Sequence, residues 1–142
     1  MTVLTEQQKE LKVQKGIRDV EDDLVKAIQK LLDDRSSYGD LEESQFRNLV
    51  RVSDTTESPE VIKNFLLYQL GRYASSDRKW GRGQNSLAQK IIEDIDKLIK
   101  KKAEEIAGAA KVDNSKPIHI ELIRRYLGYG VRYLTYLRKG ES

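Results

Sequence analysis

Three long stretches of this chain repeat apolar residues in alternating steps of four and three, and a chain built that way must bury helix against helix. The first seam is Val13, Ile17, Val20, Leu24, Ala27 and Leu31, widened by Val25, Ile28 and Leu32. Steps averaging about 3.5 residues put every member on one side of an α-helix. This predicts a helix from about Thr5 to Leu32, with Gly16 marking either a bend or its true start. A second seam runs Leu87, Ile91, Ile95 and Leu98, then Ala103 or Ile106, broadened by Ala88, Ile92 and Ile99. Asn85 or Ser86 caps that helix, which extends to about Ile106. The third seam, Ile120, Ile123, Leu127, Val131, Leu134 and Leu137, belongs to a last helix beginning at Pro117.

Two shorter helices fall between the first two seams. Asp40 and Glu43 have the spacing of a capping box, and Leu41, Phe46, Leu49 and Val50 give the helix from Leu41 to about Val52 an apolar side. Ser58 and Pro59 then suit a helix start, and Gly71 a stop. Between them Val61, Ile62, Phe65, Leu66, Leu67, Tyr68 and Leu70 leave only a narrow polar strip at Lys63 and Asn64. A helix apolar nearly all round is a buried one. The expectation is therefore an all-α, single-domain protein over residues 1–142, a compact bundle of about five principal helices with a buried central helix.

Composition narrows the function. The chain has no cysteine, so disulfides, thiolate metal sites and cysteine nucleophiles are excluded. No apolar run could span a bilayer and no basic-then-apolar leader is visible, so a soluble cytoplasmic protein without a membrane partner is expected. The net charge of +3 hides a split. Residues 1–57 carry 9 Lys/Arg and 13 Asp/Glu, a balance of −4, whereas residues 58–142 carry a balance of +7. Such asymmetry suits an anionic partner for the second half, or head-to-tail self-association. The acidic run Asp19, Glu21, Asp22 and Asp23 reads as a solvated face or a patch for a basic neighbour. Adjacent helical residues diverge by about 100°, so few of these carboxylates can converge on one ion.

No constellation for chemistry stands out. His119 has no cysteine partner, and Glu121 at i+2 points away from it, so a surface or cap-region histidine is expected. Gly81-Arg82-Gly83 is too short for a phosphate loop and lacks its lysine–hydroxyl pair. The prediction is a protein that is not an enzyme, with no catalytic residue, metal or cofactor.

Binding is better represented. The central helix empties into a loop holding Arg72, Tyr73, Arg78, Lys79, Trp80 and Arg82. Arg47 and Arg51, one turn apart, have a spacing that can straddle a phosphate backbone. Along the last helix Arg125, Tyr129, Arg132, Tyr136 and Lys139 alternate cation and aromatic in steps of four and three, with Tyr126 and Tyr133 beside them. This stripe reads either as core or as a surface where cations meet phosphates and tyrosines pack on sugars or bases. Gly128 and Gly130 each cost the helix about 1 kcal/mol relative to Ala, and close approach of another backbone is the usual compensation. The candidate nucleic-acid contacts are Arg47, Arg51, Arg72, Arg78, Lys79, Trp80, Arg82, Arg125, Tyr129, Arg132 and Lys139. Two other readings compete with these contacts. One is a protein-only helical adaptor or scaffold; the other is a DNA-binding regulator using Arg124 and Arg125.

Ser44-Gln45-Phe46-Arg47-Asn48-Leu49, Tyr68-Gln69-Leu70-Gly71-Arg72 and Glu121 with Leu127-Gly128-Tyr129-Gly130-Val131-Arg132-Tyr133 carry a resemblance. Together they resemble segments of the small helical subunit of type III CRISPR effector complexes, the Csm-type family. Where that family has Ala-Tyr-His-Lys this chain has Gly128-Tyr129-Gly130-Val131, with the basic residue displaced to Arg132. The resemblance implies an all-helical, non-catalytic subunit of an RNA-guided antiviral ribonucleoprotein. Its copies would stack along the complex, bind the backbone of guide and target RNA, and touch other subunits; the charge split fits head-to-tail stacking of those copies, and single-stranded DNA is an alternative strand. Arg47, Arg72 and Arg132 are the strand contacts it implies.

Overall fold

The computed structural model describes residues 3–72 and 79–140. Helix α1 spans Glu6–Asp33, α2 Glu43–Thr55 and α3 Pro59–Arg72. Leu87–Asp94 and Lys100–Ala110 are joined without a break by a π-helical turn, Ile95–Ile99, and form one helix, α4. Helix α5 spans Lys116–Lys139. No strand occurs among the described residues. The expected all-α bundle of five principal helices is the fold observed.

The caps explain most of the boundaries. Thr5 accepts from the Gln8 N–H at 3.0 Å while the Gln8 side chain accepts from the Thr5 N–H at 2.8 Å, a reciprocal box that fixes the start of α1. Ser86 accepts from the Gln89 N–H at 3.1 Å and starts α4. At α2 the expected Asp40–Glu43 box does not form. The Gln45 side chain accepts from the Glu42 N–H instead, at 2.9 Å, so the helix begins at Glu43.

Burial corrects the expected hierarchy. Helix α3 is not the buried one: only Ile62, Leu66 and Gln69 of its 14 residues are buried, and Val61, Leu67 and Tyr68 stand 47%, 49% and 59% exposed. Its apolar residues outnumber the places its neighbours offer, because it packs mainly on α2 and α4. The central element is α5, with ten of its 24 residues buried between α1, α2 and the second half of α4.

The π-turn has a legible cause. Leu87, Ile91, Ile95, Ile99, Ala103 and Ala107 are all buried and recur strictly every four residues. Each such step overshoots a full α-helical turn by about 40°, so the stripe would wind off the core. A wider turn brings it back. Helix α5 clamps that turn with two polar contacts. The Tyr126 hydroxyl donates to the Asp94 carboxylate at 2.7 Å, and His119 Nε2 lies 2.8 Å from the Ile95 carbonyl oxygen. A carbonyl only accepts, so Nε2 carries the hydrogen. His119 is thus buried in the bundle rather than at the surface as expected, and burial holds its pKa below the ordinary value. Burial likewise raises the Asp94 carboxyl, opposed by the Tyr126 hydrogen bond.

The charge split is largely consumed within the chain. Glu21 pairs with Arg125 at 2.6 Å, Asp23 with Lys102 at 2.8 Å and Asp34 with Lys90 at 2.9 Å. Two members of the acidic run of α1, Glu21 and Asp23, therefore face basic neighbours on α5 and α4, while Asp19 pairs with Lys15 of its own helix. No helix among the described residues is long and apolar enough to cross a membrane.

Candidate nucleic-acid interface on the α2–α5 seam

Helices α2 and α5 run antiparallel. Lys139 reaches Glu43 at one end of the seam, and Arg124 reaches the Ser53 and Thr56 carbonyls at the other. On α2, Glu43, Arg47, Val50 and Asp54 follow each other in steps of four, three and four and share the edge beside α5, with Arg51 further round. On α5 the matching edge carries Arg125, Tyr129, Arg132, Tyr136 and Lys139.

These cations are not equivalent. Arg125 donates to Glu21 at 2.6 Å and Glu121 at 3.1 Å, and it staples α5 to α1. Arg124 donates through Nε to the Ser53 carbonyl at 2.8 Å and through a terminal nitrogen to Thr56 at 2.9 Å, and it pairs with Glu57 at 3.1 Å. It therefore caps the C-terminus of α2, where free carbonyls favour a cation. Both arginines are structural, which removes the basis for a groove-reading pair and takes Arg125 off the list of strand contacts.

Arg47, Arg51, Arg132 and Lys139 are exposed. Arg47 and Lys139 share the single carboxylate of Glu43, at 3.8 Å and 3.5 Å. Arg51 donates to the neutral Asn48 amide at 3.1 Å. Arg132 has no hydrogen bond or ion pair among the described residues. Four cations facing Glu43 and Asp54 leave this strip with a net charge of +2. Glu43 is largely buried, but Arg47 and Lys139 are solvated and stand 3.8 Å and 3.5 Å from it, so each pair contributes at most about 1 kcal/mol and the cations can exchange a carboxylate for a phosphate.

The basic loop is only partly a surface feature. Trp80 is 1% exposed and packs against Phe46 with ring centroids 5.7 Å apart, so it is a core plug and not a stacking surface. Its neighbour Lys79 is drawn to the α2 end of the seam. The Gly39 N–H donates to the Lys79 carbonyl, and Lys79 Nζ donates to the Asp40 carbonyl at 3.3 Å. Arg72 and Arg82 are exposed, and Arg78 lies outside the described residues. Tyr129 is half-buried and packs against the core.

Between the helices a shallow concavity of about 550 Å³ is lined by Asp54, Glu121, Gly128, Tyr129 and Arg132, with Arg124 and Arg125 at its wall. The two helical glycines part company here. A Cβ on Gly130 would lie 2.7 Å from Phe46 and 2.8 Å from Ile28, so close packing of the core demands glycine there. Gly128 meets nothing within 4 Å, and its missing side chain leaves the floor of the concavity open. Gly128→Ala will therefore stabilise the fold by up to about 1 kcal/mol, the propensity difference of an exposed helix site. Gly130→Ala will destabilise it by about 1–3 kcal/mol. Urea midpoints of the two variants check the opposite signs.

Several contacts gave little sign of themselves in the sequence. Arg138 donates to the Leu41 carbonyl at 2.9 Å and sits 5.9 Å from the centre of the Tyr38 ring, pinning the segment before α2. The Tyr133 hydroxyl donates to Asp33 at 2.5 Å, and that bond pushes its pKa to about 12. Among the described residues no group of three or more His, Asp or Glu is placed to hold a metal ion.

The fold and site are those of a small all-α protein carrying a basic seam. No protein family, curated protein or solved structure matches the chain.

Proposed function

We propose that this chain is a non-catalytic nucleic-acid-binding subunit that grips a sugar–phosphate backbone along the α2–α5 seam. The observation that carries the reading is the strip of exposed, weakly held cations Arg47, Arg51, Arg132 and Lys139 on two antiparallel helices. Rigid helices present these charges at fixed intervals, as binding to a regularly charged strand requires, and contacts of this kind position a strand without reading its sequence. The resemblance to the small helical subunit of type III CRISPR effector complexes supplies the setting. The strand would be guide or target RNA inside a ribonucleoprotein, and the neighbours would be other subunits of that complex.

Fluorescence anisotropy with a labelled ~30-nucleotide RNA across a salt series tests this reading. The predicted result is binding that is indifferent to base sequence, with affinity falling steeply as salt rises. Four phosphate contacts to a single strand correspond to a slope of about −3 in log K against log salt. Flat salt dependence, or no binding at low salt, would overturn it.

A second reading, a protein-only helical adaptor, draws on a different observation. Val61, Leu67 and Tyr68 expose apolar surface on α3, and a face of this type suits another protein better than a phosphate chain. In that case the chain will associate in a nuclease-insensitive way, and the anisotropy will show nothing.

A further inference from the structure

Tyr136 combines two properties that seldom occur together in an exposed tyrosine. It is 60% exposed, yet its ring is held on two sides. One side lies against Tyr133, with ring centroids 5.8 Å apart and planes inclined by 30°. Tyr133 is itself tethered through its hydroxyl to Asp33 on α1. An edge of the Tyr136 ring lies over Gly140, where a Cβ would come within 2.9 Å and 3.0 Å of two ring carbons. Gly140 has an ordinary φ of −72°, and a Cβ there would also lie 2.7 Å from the Tyr136 carbonyl oxygen, so the backbone and the ring of Tyr136 together leave room only for glycine. The rest of the ring meets solvent among the described residues. Arg132 lies one turn before it and Lys139 one turn after, on the same side of α5. Among the described residues, Asp33 accepts from Tyr133, and Glu43 faces Lys139 and Arg47.

From this geometry we propose that Tyr136 is a preformed platform on which one unpaired base of a single-stranded RNA stacks, with its flanking phosphates at Arg132 and Lys139. The inference rests on the backbone-binding reading and adds to it a ligand class, since a base must be unpaired to offer its face. A ring held before binding loses little freedom when the base arrives, which strengthens the contact. Stacking on an aromatic ring tolerates every base, so this site adds affinity for single strands without adding sequence preference.

An eight-nucleotide RNA carrying a central 2-aminopurine, whose fluorescence is quenched by stacking, tests the proposal. Tyr136→Phe keeps the ring and Tyr136→Leu keeps apolar bulk without it. The native protein and Tyr136→Phe will quench the probe and bind it alike. Tyr136→Leu will bind about tenfold more weakly without quenching, and its salt slope will be unchanged because no phosphate contact is lost. An RNA with an abasic site in place of the probe base will bind the native protein and Tyr136→Leu equally. Unchanged affinity for the single strand in Tyr136→Leu would overturn the platform while leaving backbone binding intact. So would an equal loss on the abasic strand or on a duplex, because the ring would then serve the protein and not a base. Absence of any RNA binding by the native chain would instead overturn the reading beneath it.

Discussion

Gly81→Ala will destabilise this protein by about 3–5 kcal/mol, whereas Gly83→Ala, two residues on, will cost only about 1–2 kcal/mol. Both glycines have positive φ, +92° and +71°, so any other residue is strained at either position. Their surroundings differ. A Cβ on Gly81 would overlap the Ser37 carbonyl oxygen and fall within 2.8 Å of Ser86, while one on Gly83 meets nothing within 4 Å. Gly81 cannot move aside cheaply. Its neighbour Trp80 is sealed in the core, with the Trp80 carbonyl accepting from the Ala88 N–H and the Lys79 carbonyl accepting from the Gly39 N–H. Relief of the overlap therefore means lifting the indole out of its place against Phe46. Trp80 is the only tryptophan, so its emission reports this directly. The emission of Gly81→Ala will shift to the red and its urea midpoint will fall, while Gly83→Ala will keep native emission. Equal effects at the two positions would show that strained φ, and not the Ser37 contact, sets the cost.

The largest expected effect on binding comes from replacing Arg47, Arg51 and Arg132 together with alanine. For a single strand each phosphate contact contributes a factor of about five at ~0.1 M salt, relative to the molar salt at which this contribution vanishes. Three contacts thus amount to roughly a hundredfold loss of RNA affinity. All three side chains are exposed, and among the described residues their one charge pair is the 3.8 Å contact of Arg47 with Glu43. The triple variant will therefore keep its helix content and unfold within about 1 kcal/mol of the native protein. Arg124→Ala provides the contrast. It removes the cap of α2 and a structural ion pair, and it will lower stability without a comparable change in salt slope.

The architecture was legible because helix-period seams depend only on local spacing. The seams through Val13–Leu31 and Ile120–Leu137 mark α1 and α5 to within a few residues. What those seams could not convey was rank. Helix α3 has the densest apolar composition, but burial depends on how many neighbours surround an element, and α5, with its tyrosines and arginines, won the centre. The same limit governs the site. Trp80 among cations looks like a binding aromatic until Phe46, 34 positions earlier, is folded against it. Arg125 looks like part of a basic stripe until Glu21 arrives from α1. The π-turn does have a signal in the sequence: the unbroken four-residue recurrence from Leu87 to Ala107 does not fit an ideal α-helix, and it marks the turn that His119 and Tyr126 hold. Gly140 beneath Tyr136 left no such trace, since the crowding there comes from the carbonyl and ring of another residue.

The claim that the α2–α5 seam grips a nucleic-acid backbone is tested most directly by the slope of log K against log salt, measured on one RNA for the native chain and the Arg47, Arg51, Arg132 triple variant. The account predicts that the slope becomes shallower by about two, the counterions of three lost phosphate contacts, with circular dichroism unchanged. Equal slopes for two well-folded proteins would place the strand elsewhere on the molecule and contradict the account.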